Sequence, residues 1–236
     1  MPPLRHARLS LPVALDAMRT EVAALASIWQ PHFQAAHHDG GWTVLPLRAL
    51  EGSTNDAIPF ALCGGPAVYR PTPWLDQCPA IAQFLASLAC PVLAVRLLRL
   101  APGAAIRPHR DAELAFEKGE ARLHVPIVTH PDVEFVIDGE RVPMAPGTCW
   151  YINANLTHHV RNPGPGERIH LVVDCTVDDW LRARFAEGER TYATVRRDPD
   201  ELRQMIALLR AMDAPAARDL VAALEAELAE GTSAAG

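Results

Sequence analysis

A histidine and an aspartate two positions apart, followed by a second histidine and then an arginine, are the residues of this sequence best suited to chemistry. His109 and Asp111 form the first pair, the adjacent His158 and His159 follow much later, and Arg168 comes after them. Residues i and i+2 of a strand face the same side, so His109 and Asp111 can offer ligands to one ion. Two imidazoles and one carboxylate on one face of an octahedral Fe(II) leave three coordination positions open.

Those three positions would accommodate a bidentate co-substrate and dioxygen, which points to oxidation chemistry. A guanidinium binds a carboxylate through two parallel hydrogen bonds. Arg168 is therefore expected to anchor the far carboxylate of 2-oxoglutarate while the other end of that molecule chelates the iron. His158 and His159 would point to opposite faces of a strand, so only one of them can be the third ligand. The spacing alone does not decide between the two.

Two further pairs of polar residues alternate with apolar ones, namely Arg122 with His124 and Arg168 with His170. On a strand each pair faces one side, which is either solvent or a polar cavity. A barrel with a polar mouth would place both pairs inside. If Arg168 binds the co-substrate, Arg122 is left as a spare cation beside the metal, and a buried unpaired guanidinium costs desolvation energy. Arg122, supported by Arg96, is therefore predicted to bind a substrate carboxylate.

The elements that would position these residues change character along the chain. Apolar residues recur with a helical period across 13–30 and 79–89, whereas 42–50 and 92–100 have the composition of strands. Beyond residue 103 the period becomes two, and turn residues separate short segments. Strands are predicted at 122–128, 133–137, 141–144, 148–153, 157–161 and 168–175. This pattern predicts a mainly β fold with a jelly-roll core and flanking N-terminal and C-terminal helices.

The last part of the sequence returns to a helical pattern. Asp178 can cap one helix, and Asp198 can cap another because Pro199 and an acidic first turn follow it. A further helix over about 215–230 would complete a helical hairpin. The predicted division is a core domain at 1–177 with its N-terminal helices, a helical segment at 178–230 and a disordered tail at 231–236.

Composition narrows the class of protein. The chain has 236 residues and a formal net charge of −6, and this acidic balance argues against a sequence-blind nucleic-acid binder. An odd number of cysteines without a CxxC pair favours a reducing compartment, and we expect the cytoplasm. The five are Cys63, Cys78, Cys90, Cys149 and Cys175. Charged residues interrupt the N-terminal apolar stretch, so we predict neither a signal peptide nor a membrane span.

Four segments together resemble the aspartyl/asparaginyl β-hydroxylase family of Fe(II)- and 2-oxoglutarate-dependent oxygenases. They are residues 106–111, 122–126, 157–160 and 168–174. The resemblance extends over 92–177 and implies a double-stranded β-helix fold. It also implies His109 and His158 as metal ligands, because the distal histidine of the family matches the first of the adjacent pair.

The resemblance implies roles for three further residues, and the chain departs from the family pattern at two positions. Arg168 matches the residue that binds the C5 carboxylate of 2-oxoglutarate, His124 a second contact to it, and Arg122 an arginine placed to meet a substrate carboxylate. The animal members have glycine where this chain has Asp111, so three protein ligands look complete here, as in bacterial relatives and in the similar free-proline hydroxylases. A small polar residue that helps to hold 2-oxoglutarate is replaced by Leu98.

The expected activity is hydroxylation, at Cβ, of an aspartyl or asparaginyl residue or of a free or carrier-bound amino acid, with Fe(II), 2-oxoglutarate and dioxygen. A small-molecule or peptide substrate is expected, and no nucleic-acid or membrane partner. One alternative is a cupin-like metal-binding or ligand-binding module without oxygenase activity. Another is an interaction protein whose working surface is the helical hairpin at 198–230. An affinity for 2-oxoglutarate that depends on Arg168 would favour the enzyme.

Overall fold

The structure is a computed structural model that describes residues 2–25, 28–55, 68–112, 114–193, 199–212 and 215–233. Contacts between residues divide the chain into two compact units. The first unit is Pro3–Tyr192, and every candidate residue named above lies in it. The second unit consists of Met1–Pro2 and Ala193–Gly236.

The first unit is built mainly from strands. These strands are β1 (Leu4–Leu9), β2 (Gln30–Pro31), β3 (Trp42–Leu50), β4 (Tyr69–Pro71), β5 (Val92–Leu100), β6 (Ala105–His109), β7 (Glu120–Val128), β8 (Glu134–Ile137), β9 (Glu140–Arg141), β10 (Cys149–Ile152), β11 (His158–Arg161), β12 (Arg168–Thr176) and β13 (Glu189–Tyr192). Its helices are α1 (Leu15–Ala24), α2 (Pro79–Ala86) and α3 (Asp179–Glu187).

Two antiparallel sheets organise these strands. The larger sheet has the order β13-β1-β10-β7-β12-β5-β3-β2 with β4 paired to β3, and the smaller has the order β6-β11-β8-β9. From β5 to β12 the chain alternates between them, since β5, β7, β10 and β12 belong to the larger sheet and β6, β8, β9 and β11 to the smaller. This interleaving is the topology of a double-stranded β-helix, and it confirms the predicted jelly-roll core.

The central strand β12 explains why polar side chains lie inside the protein. It is buried along nearly its whole length, and successive residues face opposite sides of the sheet. Ile169, Leu171 and Val173 pack in the core that also contains residues of α1 and α2. Val172 packs instead with apolar residues of the smaller sheet. Arg168 shares the face of Val172, so its side chain lies in the space between the two sheets.

Some local predictions differ from the structure. β1 was not predicted, and it pairs with β10 on one side and β13 on the other. The first helix ends at Ala24 rather than near residue 30. The predicted hairpin at Asp138-Gly139 is present, with φ angles of 51° and 78° that suit a tight two-residue turn. The strand after this turn is only Glu140–Arg141, shorter than the predicted 141–144.

The second unit contains the predicted helical hairpin as α4 (Pro199–Arg210) and α5 (Pro215–Ser233). Its apolar contacts join Leu202 and Ile206 of α4 to Val221 and Leu224 of α5. Helix α5 continues to Ser233, beyond the predicted start of the tail, and residues 234–236 lie outside the described residues. By residue contacts the C-terminal part of the second unit begins at Ala193, and β13 belongs to the first unit, where it pairs with β1.

Four of the five cysteines are described by the structure, and none of these four is in a disulfide. Cys78, Cys90, Cys149 and Cys175 are buried free thiols, whereas Cys63 lies outside the described residues. Among the helices that the structure describes, none combines the length and the apolar character that a bilayer span needs.

Candidate metal centre

His109, Asp111 and His158 come together at one end of the space between the sheets. His109 ends β6 and His158 begins β11, and the two residues lie directly opposite each other across these paired strands. One ligand atom from each of the three residues lies within 4.8 Å of the others. The grouping that the spacing suggested is therefore present as a compact set of two imidazoles and one carboxylate, which suits a divalent transition metal.

Hydrogen bonds to the main chain fix which ring nitrogen each histidine offers. The His109 Nδ1 lies 2.8 Å from the Arg107 carbonyl oxygen, and the His158 Nδ1 lies 3.0 Å from that of Leu156. A carbonyl only accepts, so each Nδ1 carries the proton and each Nε2 keeps its lone pair for a metal. Burial, followed by the neighbouring His109, lowers the pKa of His158 to about 4, which keeps this imidazole neutral.

His159 does not share this position. It pairs with Val136 on β8, and successive residues of β11 face opposite sides. His158 is buried, whereas His159 is partly exposed. The structure therefore favours the first histidine of the pair, the residue that the family resemblance implied.

The loop before β3 contributes residues that the sequence did not single out. His32, Phe33 and Gln34 line the cavity around the three candidate ligands, which has a volume of about 710 Å³. The His37 ring lies 4.5 Å from that of His109, centre to centre. Arg107 holds this loop by donating to the Ala36 carbonyl oxygen at 2.9 Å. Since loop residues carry no periodic pattern, nothing in the sequence indicated that His32, Phe33 and Gln34 approach the site.

Asp111 is the first member of a charged network that spans three strands and comprises Asp111, Arg122, Asp174 and Arg96. Arg122 Nη1 donates to Asp111 Oδ2, and Arg122 Nε and Nη2 donate to the two oxygens of Asp174 at 2.7 and 3.0 Å. Arg96 Nη1 donates to Asp174 Oδ2 at 3.1 Å. We call these four residues the carboxylate network.

The carboxylate network contradicts the reason for which Arg122 was predicted to bind a substrate carboxylate. That argument assumed a cation without an anionic partner, whereas the structure gives Arg122 two carboxylates. Burial alone would lower the pKa of Arg122 and raise that of Asp174, but the ion pairs outweigh burial and shift both in the opposite direction. Burial also acts to raise the pKa of Asp111, and the Arg122 charge and the two imidazoles bring it below its usual range.

A second polar group, which we call the arginine–histidine cluster, consists of Arg168, His170 and His124. Arg168 is 1% exposed, and its Nη2 donates to His170 Nδ1 at 2.7 Å. No carboxylate of the described residues pairs with it, and burial lowers its pKa to about 9. Three buried nitrogens of this cluster have no hydrogen-bond partner among the described residues: Arg168 Nε, His124 Nε2 and His170 Nε2. Such a group fits an incoming carboxylate, because buried cations and donors are normally paired.

The Phe135 ring lies between Arg168 and the candidate metal ligand His158. Phe135 and His124 line the cavity around the candidate ligands, whereas Arg168 does not. The Arg168 guanidinium carbon lies 5.8 Å from the centre of the Phe135 ring, and the same ring stacks on His158 at 6.3 Å. Leu98, in place of a small polar residue, pairs with His170 on the neighbouring strand and supplies no hydrogen bond. The polar side chains of the arginine–histidine cluster therefore come from β7 and β12.

Several solved structures resemble this chain at low identity. An oxidoreductase of the 2OG-Fe(II) oxygenase family from Burkholderia pseudomallei is 16% identical, with 69% of this chain and 81% of that chain covered and a TM-score of 0.43. A Pseudomonas putida prolyl-4-hydroxylase is also 16% identical, with coverages of 74% and 94% and a TM-score of 0.42. A cupin 2 domain-containing protein from Halorhodospira halophila is 21% identical, with coverages of 52% and 70% and a TM-score of 0.29.

One protein family matches most of the first unit, from α1 to the end of β12. The aspartyl/asparaginyl β-hydroxylase family matches residues 14–177. The match includes every candidate site residue and extends over more than half of the chain. The chain therefore belongs to the aspartyl/asparaginyl β-hydroxylase family and is a 2-oxoglutarate-dependent hydroxylase.

Proposed function

We propose that this enzyme uses Fe(II), 2-oxoglutarate and dioxygen to hydroxylate a carboxylate-bearing substrate at Cβ. The substrate would be an aspartyl residue of a peptide, or a free or carrier-bound amino acid, because an asparaginyl side chain carries an amide in place of the carboxylate that the arginines would bind. The observation that carries the proposal is a set of three metal-ligand atoms within 4.8 Å of one another, in the same inter-sheet space as a buried arginine without an anionic partner among the described residues.

The first task of the protein is to hold the iron. His109 Nε2, His158 Nε2 and one oxygen of Asp111 are the ligands in this proposal. When bound, the iron supplies the oxygen activation and the coordination sites for the co-substrate. Main-chain hydrogen bonds orient both imidazoles, so little reorganisation is needed for the metal to bind.

The second task is to orient 2-oxoglutarate. Arg168 would bind the C5 carboxylate, and His124 offers its unpaired Nε2 for a second contact. The apolar face of Phe135 lies between the metal-ligand side and Arg168, where it would pack against the methylene groups of the co-substrate. An arriving carboxylate would replace the missing anion beside Arg168, which is the energetic reason to expect binding there.

The third task is to position the substrate. Arg96 and Arg122 line the cavity with the three metal-ligand residues. Arg122 uses three of its five N–H donors within the carboxylate network, which leaves one on each terminal nitrogen. These two donors, with Arg96, would meet a substrate carboxylate and hold the Cβ hydrogen near the iron.

A succinate-release screen against free amino acids and Asp-containing peptides tests this proposal, with mass spectrometry of the product. We expect succinate release coupled to the gain of one oxygen atom by an acidic substrate. A metal-binding protein without oxygenase activity would release no succinate. A best substrate without any carboxylate would contradict the assignment of the substrate class.

The Arg122→Gln variant sharpens this test when each protein is saturated with Fe(II). Hydroxylation should fall far more than 2-oxoglutarate binding, and uncoupled conversion of 2-oxoglutarate to succinate should partly survive. Arg99→Gln is the matched control, because Arg99 lies on β5 with its Nε bonded to Thr43 Oγ1 at 3.0 Å, and it does not line the cavity. Normal hydroxylation of an acidic substrate by Arg122→Gln would exclude this role of Arg122.

A further inference from the structure

We infer that Arg122 is a positioning residue for the iron ligand Asp111: it holds one carboxylate oxygen so that the other faces the metal. Asp174 in turn fixes Arg122. This inference rests on the proposed function, because it takes His109, Asp111 and His158 as the iron ligands. It adds a role to Arg122 that binding of a substrate carboxylate does not require.

Asp111 has little of its own to fix its side chain. It lies beyond the end of β6, and its main-chain N–H donates to the Ala154 carbonyl oxygen at 2.9 Å. That bond locates the backbone and leaves the carboxylate free to turn. The side-chain contact is made by Arg122, which donates to Oδ2, while Oδ1 lies 4.0 Å from His109 Nε2. The two oxygens therefore have different partners, and Oδ1 is the one directed at the candidate metal position.

Arg122 is itself held in one orientation. Two of its nitrogens form parallel hydrogen bonds to the two oxygens of Asp174, the bidentate arrangement that fixes the plane of a guanidinium. The two residues lie directly opposite each other on the paired strands β7 and β12. Arg96 donates to Asp174 from β5, on the other side of β12. The orientation of Asp111 is thus set by three adjacent strands rather than by its own loop.

If Arg122 orients Asp111, removing Arg122 should weaken metal binding. Neither a purely structural role nor a purely substrate-binding role of Arg122 predicts that loss. A carboxylate that is already turned toward the metal loses less conformational freedom when it coordinates. Groups that orient a metal ligand typically change metal affinity by about 10–100-fold when they are removed. If Arg122 only bound substrate, the metal affinity of the protein without substrate would not change.

The experiment is a chelator-competition measurement of Mn(II) affinity, with Mn(II) as a redox-inert substitute for Fe(II) and without 2-oxoglutarate or substrate. Arg122→Met should bind Mn(II) about 10–100-fold more weakly than the wild type, and Asp174→Asn should show a smaller loss. Arg122→Lys should recover part of the affinity, because an ammonium can donate to Asp111 but cannot fork onto Asp174. Arg99→Gln should bind as the wild type does.

Thermal unfolding of each metal-free protein separates orientation from general damage. Arg122→Met leaves Asp174 without its main partner and can lower stability, so the double variant Arg122→Met/Asp174→Asn removes both charges together. The double variant should be as weak in Mn(II) binding as Arg122→Met. A folded Arg122→Met or double variant with wild-type Mn(II) affinity would overturn the inference.

Failure of the proposed function would have a different signature. If the three residues are not a metal site, the wild-type protein would bind Mn(II) weakly, or His109→Ala would bind it as well as the wild type does. If they bind a metal without oxygenase activity, the succinate-release screen would find no product whatever the Mn(II) affinities are. Tight wild-type binding that is lost in His109→Ala but retained in Arg122→Met would reject only the inference about Arg122.

Discussion

Apart from Asp111, which follows β6 of the smaller sheet, the carboxylate network and the arginine–histidine cluster lie on the same face of the larger sheet, but they differ in how their charges are matched. In the carboxylate network, Arg122 and Arg96 donate to Asp174, and Arg122 also donates to Asp111. In the arginine–histidine cluster, the cation Arg168 has only a histidine nitrogen as its hydrogen-bond partner among the described residues. In the carboxylate network every cation has a carboxylate partner in the folded protein. In the arginine–histidine cluster Arg168 has no anionic partner among the described residues.

This difference in charge pairing indicates different roles for the two groups, since one has its geometry fixed by the protein alone and the other is suited to binding an anion. A paired network holds its geometry without a ligand, which is what the proposed metal ligand Asp111 needs. A buried guanidinium without a counter-charge destabilises the folded chain until a carboxylate arrives, so the folding energy favours binding at that point. The comparison thus assigns preorganisation to the carboxylate network and anion recognition to the arginine–histidine cluster.

The largest effect is expected from removing a proposed metal ligand beside the carboxylate network. His109→Ala or His158→Ala should abolish Fe(II) binding and turnover, because two remaining ligands hold the ion poorly. The matched control is His159→Ala, which should do much less because His159 faces the other side of β11. The measurement is iron content after dialysis together with succinate release. If His159→Ala were inactive and His158→Ala active, the register of β11 at the site would be wrong.

The second-largest effect is expected at Arg168, which has no anionic partner among the described residues. Arg168→Lys should raise the KM for 2-oxoglutarate sharply, because an ammonium cannot form the bidentate pair. By analogy with buried charge pairs at interfaces, the loss should be about 2–5 kcal/mol of binding free energy. Steady-state kinetics measure it, with Arg99→Lys as the control. An unchanged KM would move the anchor to another cation, of which Arg96 is the candidate.

The two groups should also respond oppositely when a charge is removed from the protein without ligands. Asp174→Asn leaves Arg122 and Arg96 without their shared partner, and it should lower the free energy of unfolding by about 3 kcal/mol. Urea denaturation of the metal-free protein measures this loss. A change below about 0.5 kcal/mol, the range of ordinary surface substitutions, would show that the carboxylate network is not a stabilising unit.

The smallest effect is expected at the unpaired cation. Arg168→Met removes a buried charge that has no carboxylate partner among the described residues, so the free energy of unfolding should stay unchanged or increase. The same urea denaturation measures it, and 2-oxoglutarate should no longer stabilise this variant in the presence of Mn(II). A large loss of stability in Arg168→Met would mean that Arg168 is already paired, and the contrast between the two groups would disappear.

The sequence predicted the positions of several site residues and the core of the fold, but not the partners of Arg122. The alternation of Arg168 and His170 with apolar residues predicted that both face one side of a strand, and the structure places both between the sheets. The turn at Asp138-Gly139 and the two-residue period after residue 103 predicted the jelly-roll core. These signals succeed because the period of a strand fixes which residues share a face.

The pairing of Arg122 with Asp174 was missed because it depends on strand register. The two residues are far apart in sequence and become neighbours only when β7 and β12 pair. An alignment of the two predicted strands in antiparallel register would have brought them opposite each other. The approach of the loop at His32 and Phe33 to the cavity had no comparable signal, since no repeating pattern links that loop to the metal ligands.

The most direct test of the central claim, that one molecule of 2-oxoglutarate joins the metal to the arginine–histidine cluster, is a calorimetric titration of 2-oxoglutarate with and without Mn(II). For the wild type, Mn(II) should strengthen 2-oxoglutarate binding, and by thermodynamic reciprocity 2-oxoglutarate should strengthen Mn(II) binding by the same factor. In Arg168→Lys, binding should be weak even with Mn(II) present. Binding of equal strength with and without Mn(II), or wild-type affinity in Arg168→Lys, would contradict the claim.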